Sequence, residues 1–387
     1  MASASKLMWN HTETTHSPVR KLIALALAGL LSGCAAGPDF KRPASPDVEN
    51  YTAMSVPAQT ESAPTLLGET QRLIEGLPLD KQWWRMLGSH PLDLLIEEAF
   101  EASPTLLSAR ATLRQAQELY AAQSGSTLYP QVDAGLGVQR QRLSPSTQGL
   151  SGEAREFSLY NASVGARYNF DLAGGNRRAL EALAARSDYR RFELDAATLT
   201  LASNIANAAI TRALLDEQME KMQAIVHAQV EQLYLANERI RIGQAVPDEA
   251  FGLQTQLEQS RAELPTLRKQ LLQTEHLLAA LAGRSPGASD IPSFTLADFT
   301  LPAELPLIVP SELVRRRPDI QAAESLLHAA NADYGVAIAK LYPQLSLSAN
   351  LGSQALTGGA LFGGESTVWG LVGQLVHPLY NPGCWKR

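Results

Sequence analysis

The chain lacks what a disulfide scaffold, a helical membrane span or a nucleic-acid binder would need. Two cysteines in 387 residues, with no Cys-x-x-Cys pair, exclude a disulfide framework and a redox or zinc motif of that kind. Charged residues are only 19% and the net charge is −6, so no basic field recruits nucleic acid. Aromatics are few, at 6%. After residue 33 no stretch is long and apolar enough for a membrane-spanning helix, so entry into a bilayer would need a lipid anchor or a β-barrel. Catalytic patterns are missing too. The 7 histidines never stand at metal-ligand spacing from one another, and there is no Gly-x-Ser-x-Gly elbow or Walker loop. Gly358-Gly359 and Gly363-Gly364 fall between predicted strands and read as a flexible loop. The expectation is a protein that is no enzyme and takes no cofactor and no metal.

What is present begins with an address. Arg20-Lys21 precedes a short apolar segment over residues 22–31, which ends in Leu31-Ser32-Gly33-Cys34. That is the form of a bacterial lipoprotein signal, with 1–33 removed and the Cys34 thiol acylated. Buried acyl chain, at about 0.8 kcal/mol per CH₂, would hold the protein on a membrane. Ala35, in place of an aspartate after the cysteine, points to the outer membrane. From Cys34 to about residue 80 the chain is rich in Pro, Ser, Thr and Ala, without periodicity. Residues 34–89 therefore read as an N-terminal tether.

The body of the chain says one thing twice. Leu128-Tyr129-Pro130-Gln131 recurs as Leu341-Tyr342-Pro343-Gln344. Each copy follows a helical run that opens at a proline, Pro104 or Pro318, and each leads into alternating apolar and polar residues. Val132, Ala134, Leu136 and Val138 alternate with Asp133, Gly135, Gly137 and Gln139. Tyr160, Ala162, Val164, Ala166, Tyr168 and Phe170 alternate with Asn161, Ser163, Gly165, Arg167 and Asn169. Leu345, Leu347, Ala349 and Leu351 alternate with Ser346, Ser348, Asn350 and Gly352, and residues 368–379 supply a less regular fourth strand. Period two marks strands with one apolar and one polar face. A soluble sandwich strand reads the same way, but small, wet polar faces and lengths of about ten residues favour a transmembrane barrel. Asn161, Ser163, Arg167 and Asn169 would then face its lumen.

Between the copies lies a helical hairpin, predicted over 173–242 and 248–282 with a turn at 243–247. Leu201, Ile205, Ala208, Leu215, Met219, Met222, Val226, Leu233 and Ile240 fall on a heptad seam. Leu253, Leu257, Leu264, Leu267, Leu271, Leu278 and Leu281 do so on the return arm, which Pro265 should kink locally. A stripe of this spacing is packing and takes no ligand role. Gly243 permits a tight turn, Pro247 suits the first turn of the return helix, and Asp248 and Glu249 suit its N-terminal dipole.

In this order the motifs resemble the TolC-like outer-membrane efflux factors, in particular their lipoprotein (NodT/OprM-type) branch. The resemblance rests on Gly37-Pro38-Asp39-Phe40-Lys41-Arg42-Pro43, Trp83-Trp84 with Leu92-Asp93-Leu94-Leu95-Ile96, and the junction Asn169-Phe170-Asp171-Leu172-Ala173-Gly174-Gly175-Asn176-Arg177-Arg178. It continues through Arg239-Ile240-Arg241-Ile242-Gly243-Gln244-Ala245 and Leu281-Ala282-Gly283-Arg284-Ser285-Pro286. It implies an α+β membrane protein with an internal repeat: a homotrimer in which each protomer gives four strands to one outer-membrane β-barrel, continued by an α-helical coiled-coil tunnel in the periplasm. It further implies passive conduction of drugs or small toxic solutes, with a periplasmic adaptor and an inner-membrane pump as partners. Ile242, Gly243, Gln244, Ala245 and Val246 would form the adaptor-docking tip, and Asp171, Gly174 and Gly175 the bend from strand to helix. The domain reading that follows is 90–283 as first repeat, 284–308 as linker and 309–387 as second repeat.

After Pro382-Gly383 the family pattern expects a further glycine, arginines and a second helical hairpin, whereas this chain reads Cys384-Trp385-Lys386-Arg387. The expectation is a C-terminally truncated product, or else a short variant that pairs with a second polypeptide. Three alternatives stand beside the efflux channel: a type I protein-secretion channel, a lipid-anchored periplasmic coiled-coil scaffold, and a non-functional truncated product.

Overall fold

The computed structural model describes residues 35–44, 56–78, 80–145, 149, 151–287, 290–307 and 314–379. Cys34, the signal segment and residues 380–387 lie outside them. The chain divides into two compact units that do not follow the repeat boundaries. One takes in 42–117 and 186–326, the other 1–41, 118–185 and 327–387.

In the first of these units, β1 (Arg72–Glu75) leads through a single 3-10 turn at Trp83–Leu87 to helix α1 (His90–Ala102). Ser103 holds an extended backbone at ψ 121°, as a residue before proline must, and α2 (Pro104–Leu128) starts at Pro104, whose missing N–H costs nothing there. Leu92, Leu95, Ile96 and Ala99 form the buried face of α1. They join a core with Leu201, Ile205, Ala208, Leu278, Phe294 and Phe299.

The helical hairpin consists of α3 (Gly175–Arg241) and α4 (Pro247–Leu281). Every predicted seam residue on both arms is buried or half-buried, and α4 runs unbroken through Pro265. Arg212 is buried on α3 and donates to the Phe294 carbonyl at 2.6 Å and to Glu275 of α4 at 3.2 Å. One guanidinium thus ties both arms to the segment that follows them.

That segment, read from the sequence as a linker over 284–308, contributes to the packing of this unit. Phe294 and Phe299 stack in the core with centroids 6.0 Å apart, and β4 (Glu304–Leu307) pairs in parallel with β1. Sequence patterning missed this because a four-residue strand and two isolated phenylalanines carry no period.

In the other unit, β2 (Gln131–Leu143), β3 (Arg155–Phe170), β5 (Gln344–Ala355) and β6 (Thr367–Val376) make an antiparallel sheet in the order β2-β3-β5-β6. The last strand ends before Pro378, whose missing N–H cannot serve a ladder. Helix α5 (Pro318–Ala339) precedes β5 as α2 precedes β2, so each Leu-Tyr-Pro-Gln joins a helix to a strand. Among the described residues no helix is long and apolar enough to cross a membrane.

Candidate functional site: the sheet face, the strand–helix junction and the hairpin turn

The register of the sheet decides which side chains share a face. Leu136 lies opposite Ala162, Ala162 opposite Ser353, and Ser353 opposite Thr367. Carried along the strands, this parity gathers Val132, Val138, Val164, Leu351, Trp369 and Leu371 on one side, and all are exposed. Leu136 is 83% exposed. The opposite side holds Asn161 between Gly137 and Gln354, Ser163 between Gly135 and Gly352, Arg167 between Gln131 and Ser348, and Asn169 beside Ser346. All four residues expected on the polar side therefore share it. An apolar sheet face of this extent, left open, is a surface that water does not tolerate. In addition, among the described residues β2 and β6 are the edge strands of this sheet, each with one side whose N–H and C=O groups pair with no strand.

At the foot of the sheet the chain turns from strand to helix. Asp171 caps α3: its carboxylate accepts from the backbone N–H of Asn176 at 3.0 Å and of Arg177 at 2.9 Å. Such a carboxylate also suits the positive end of the helix dipole. Gly174 sits at φ +73°, and a Cβ there would stand 2.7 Å from the Ala35 Cα. Gly175 opens the helix, where a Cβ would press the Ala339 methyl at 3.0 Å.

Residues 35–40, read from the sequence as part of an extended tether, lie against the strand–helix junction and α5. The Ala36 N–H donates to the Ala173 carbonyl at 2.8 Å, and Asn331 donates to the Pro38 carbonyl at 3.0 Å. The Phe40 ring stacks on His328, with centroids 4.4 Å apart and planes 16° from parallel. Gly335 carries the close approach, because a Cβ there would lie 2.8 Å from the Ala36 carbonyl oxygen.

Arg178 organises this contact. It is 4% exposed and donates to the Ala36 carbonyl at 3.1 Å, to Asp39 at 2.7 Å and to Glu181 at 2.7 Å. His328 Nε2 stands 2.8 Å from the second Glu181 oxygen. A carboxylate only accepts, so the proton sits on that nitrogen. Hydrogen bonds donated to Glu181 and then to Asp39 push the Arg178 guanidinium further up, against burial. For Glu181, burial pushes the carboxyl up, but the bonds from Arg178 and His328 outweigh it and hold the group below the usual glutamate range. Sequence reading placed Arg178 only as part of the junction motif. The usable signal was phase: Arg178, Ala182 and Ala185 recur at helical spacing and all are buried.

At the far turn, α3 ends in a Schellman arrangement. Gly243 at φ +75° donates to the Ile240 carbonyl at 3.0 Å, and the Gln244 N–H donates to the Arg239 carbonyl at 2.8 Å. Val246 then caps α4 in an extended conformation, Pro247 occupies its first turn, and Asp248 and Glu249 follow. Arg239 reaches Glu249 at 3.0 Å across the turn. Ile242, Gln244 and Val246 are exposed and Ala245 is half-buried, so the turn offers an apolar tip with a polar collar.

Among the described residues, no group of three or more His, Cys, Asp or Glu side chains is placed to hold a metal.

Comparison with known proteins gives the same picture. Residues 95–284 and 309–387 match the family model described as outer membrane efflux protein. The chain is 33% identical to the pyoverdine export outer membrane protein OpmQ of Pseudomonas putida, over 80% of this chain and 66% of that one. It is 30% identical to the probable efflux pump outer membrane protein TtgC of Pseudomonas putida, over 95% of this chain and 73% of that one. Among solved structures, the MtrE outer membrane channel of Neisseria gonorrhoeae superposes with a TM-score of 0.73 at 25% identity, covering 90% of this chain and 74% of that one. The chain thus spans just under two thirds of the length of its pyoverdine-export relative.

Proposed function

The chain belongs to the outer membrane efflux protein family, and from that membership we propose that it forms the outer-membrane duct of an efflux pump. The observation that carries this reading is the two-faced sheet. Its apolar side suits lipid, its polar side suits a water-filled lumen, and Asn161, Ser163, Arg167 and Asn169 line that lumen.

Four strands cannot close on themselves, and an open edge in lipid leaves backbone groups unsatisfied at several kcal/mol each. The edges of β2 and β6 are therefore joined by those of neighbouring copies. Three copies of a four-stranded sheet give a barrel of twelve strands, three times four. The helical hairpin serves the periplasmic part of the duct, where a periplasmic adaptor meets Ile242, Gly243, Gln244, Ala245 and Val246. The adaptor links the duct to an inner-membrane pump, which supplies the energy. Acylated Cys34 adds a second hold on the outer membrane. OpmQ is named for pyoverdine export and TtgC for efflux. On that basis the cargo class here is small exported solutes.

The test is reconstitution of the 387-residue chain in planar bilayers, with one substitution on each face of the sheet. Discrete conductance steps are expected from the unaltered chain. Val164→Arg, near the middle of the outward face of β3, places a charge at mid-membrane and should block insertion, at a cost of about 2–4 kcal/mol. Ser163→Arg should leave insertion intact and change conductance. Insertion without conductance would turn the assignment towards the periplasmic scaffold.

A further inference from the structure

The outward face of the sheet carries charge at one end only. At the parity shared by Leu136 and Leu371, the described strands present Glu156, Arg140 and Arg142 as their charged side chains. All three lie at the end of β2 and β3 where residues 144–154 connect them, opposite the end that leads into α3. At the helix end the same face finishes in Tyr168 and Phe170, whose rings meet edge to face with centroids 5.0 Å apart. Along β2 the outward side chains run Val132, Ala134, Leu136, Val138, and then Arg140 and Arg142. The step from apolar to cationic takes two residues, or roughly 7 Å of strand.

The height of the apolar band fits a bilayer. From Tyr160 to Phe170 the outward face of β3 spans about 33 Å of strand, and a tilt of about 40° reduces this to roughly 25 Å, the height of an outer-membrane apolar girdle. Arg140 and Arg142 then stand at headgroup depth, at the strand ends remote from the junction with α3. One carboxylate serves both arginines. Glu156 lies 3.4 Å from Arg140 and 3.8 Å from Arg142, and the arginine side chains remain 77% and 70% exposed. Contacts of that length between exposed groups bind weakly, and one negative charge leaves a net positive charge on the pair.

We propose that Arg140 and Arg142 on the outward face of β2 form a binding site for the phosphorylated headgroup of a membrane lipid in the outer leaflet. The chemistry is that of two planar guanidinium forks at the edge of an apolar wall. Acyl chains lie on Val138 and Leu136, while phosphate oxygens accept from the forks in bidentate fashion. Glu156 competes with the phosphate and weakens the site. The proposal rests on the membrane-inserted reading of the sheet, and the test separates the two.

The full chain in detergent micelles is titrated with a bis-phosphorylated glucosamine lipid, with its dephosphorylated form, and with inorganic phosphate, and bound lipid is counted by native mass spectrometry. The bis-phosphorylated lipid should bind about tenfold tighter than the dephosphorylated one. The double variant Arg140→Ser/Arg142→Ser should lose that preference. Glu156→Gln should increase it severalfold, a gain that misfolding cannot produce. Equal binding of the two lipids, or a double variant that keeps the preference, overturns the site. Competition by inorganic phosphate at equal concentration overturns the lipid as its occupant. Insertion of the unaltered chain into vesicles, read by protease protection, is scored separately. Its failure removes the barrel reading, whereas the lipid preference in micelles stands or falls on its own.

Discussion

Arg178 and Asp39, 139 positions apart in the chain, meet at 2.7 Å, and this pair joins the N-terminal segment to the first turns of α3. The two partners differ in environment. The arginine side chain is 5% exposed, whereas the aspartate is 90% exposed.

That asymmetry sets unequal costs. Arg178→Met removes the donor from one Glu181 oxygen and from the Ala36 and Gly37 carbonyls and should destabilise this unit by about 3 kcal/mol. Asp39→Ala removes a solvent-screened partner and should cost less than about 1 kcal/mol. Thermal unfolding of both variants checks the ranking, and an equal loss would show that the pair acts as a surface bridge.

Acid should loosen the same contact. The Glu181 carboxyl is held below its ordinary value of 4.5 by Arg178 and His328, despite burial. A depressed carboxylate stabilises the fold fully above the unfolded value, and that stability is lost as pH falls through the folded one. Protection of residues 35–40 from proteolysis should therefore hold at neutral pH and decline below about pH 4.5. Glu181→Gln should flatten the decline. A Gln variant with an unchanged pH profile would place the sensitive group elsewhere.

Two glycines share a positive φ but differ in surroundings. At Gly243, in the hairpin turn, an added Cβ would meet nothing within 4 Å, so Gly243→Ala should cost only the left-handed backbone, about 1 kcal/mol. Gly174→Ala adds a clash with Ala35 to the same strain and should cost clearly more. It should also expose residues 35–40 to protease, which the turn variant should not.

The turn offers a functional reading that stability does not touch. Val246→Glu and Ile242→Glu place charge on exposed apolar positions that no core residue needs. Circular dichroism should be unchanged, while efflux in cells supplied with pump and adaptor should fall severalfold. Undiminished efflux in the double variant would remove the tip from the docking surface.

The sheet and the hairpin were legible in the sequence because each follows a strong period. Leu136 and Asn161 fall on opposite faces as alternation requires, and Ile205 and Leu278 mark the seam by their heptad spacing before any contact is known. The contact between residues 35–40 and the helices was not legible. It depends on Gly335 and Gly174 admitting a backbone, on one buried guanidinium, and on Phe40 meeting His328 far along the chain. None of these repeats. The pairing of β1 with β4 was hidden for a related reason, since four residues are too few to display alternation.

The placement of β5 beside β3 also governs when the sheet can exist. β2 and β3 are neighbours in the chain, but a lone two-stranded hairpin is marginal in water, and β5 and β6 lie beyond the entire helical hairpin. Pairing across so much chain is slow, whereas helices form from local contacts. Refolding from urea should therefore show helical circular dichroism well before amides of 344–376 resist exchange, and simultaneous protection would contradict this order. On the duct reading proposed above, a nascent chain would carry its helices before its sheet. The same separation that delays the strands would then keep the greasy wall out of sight until a membrane is at hand to receive it.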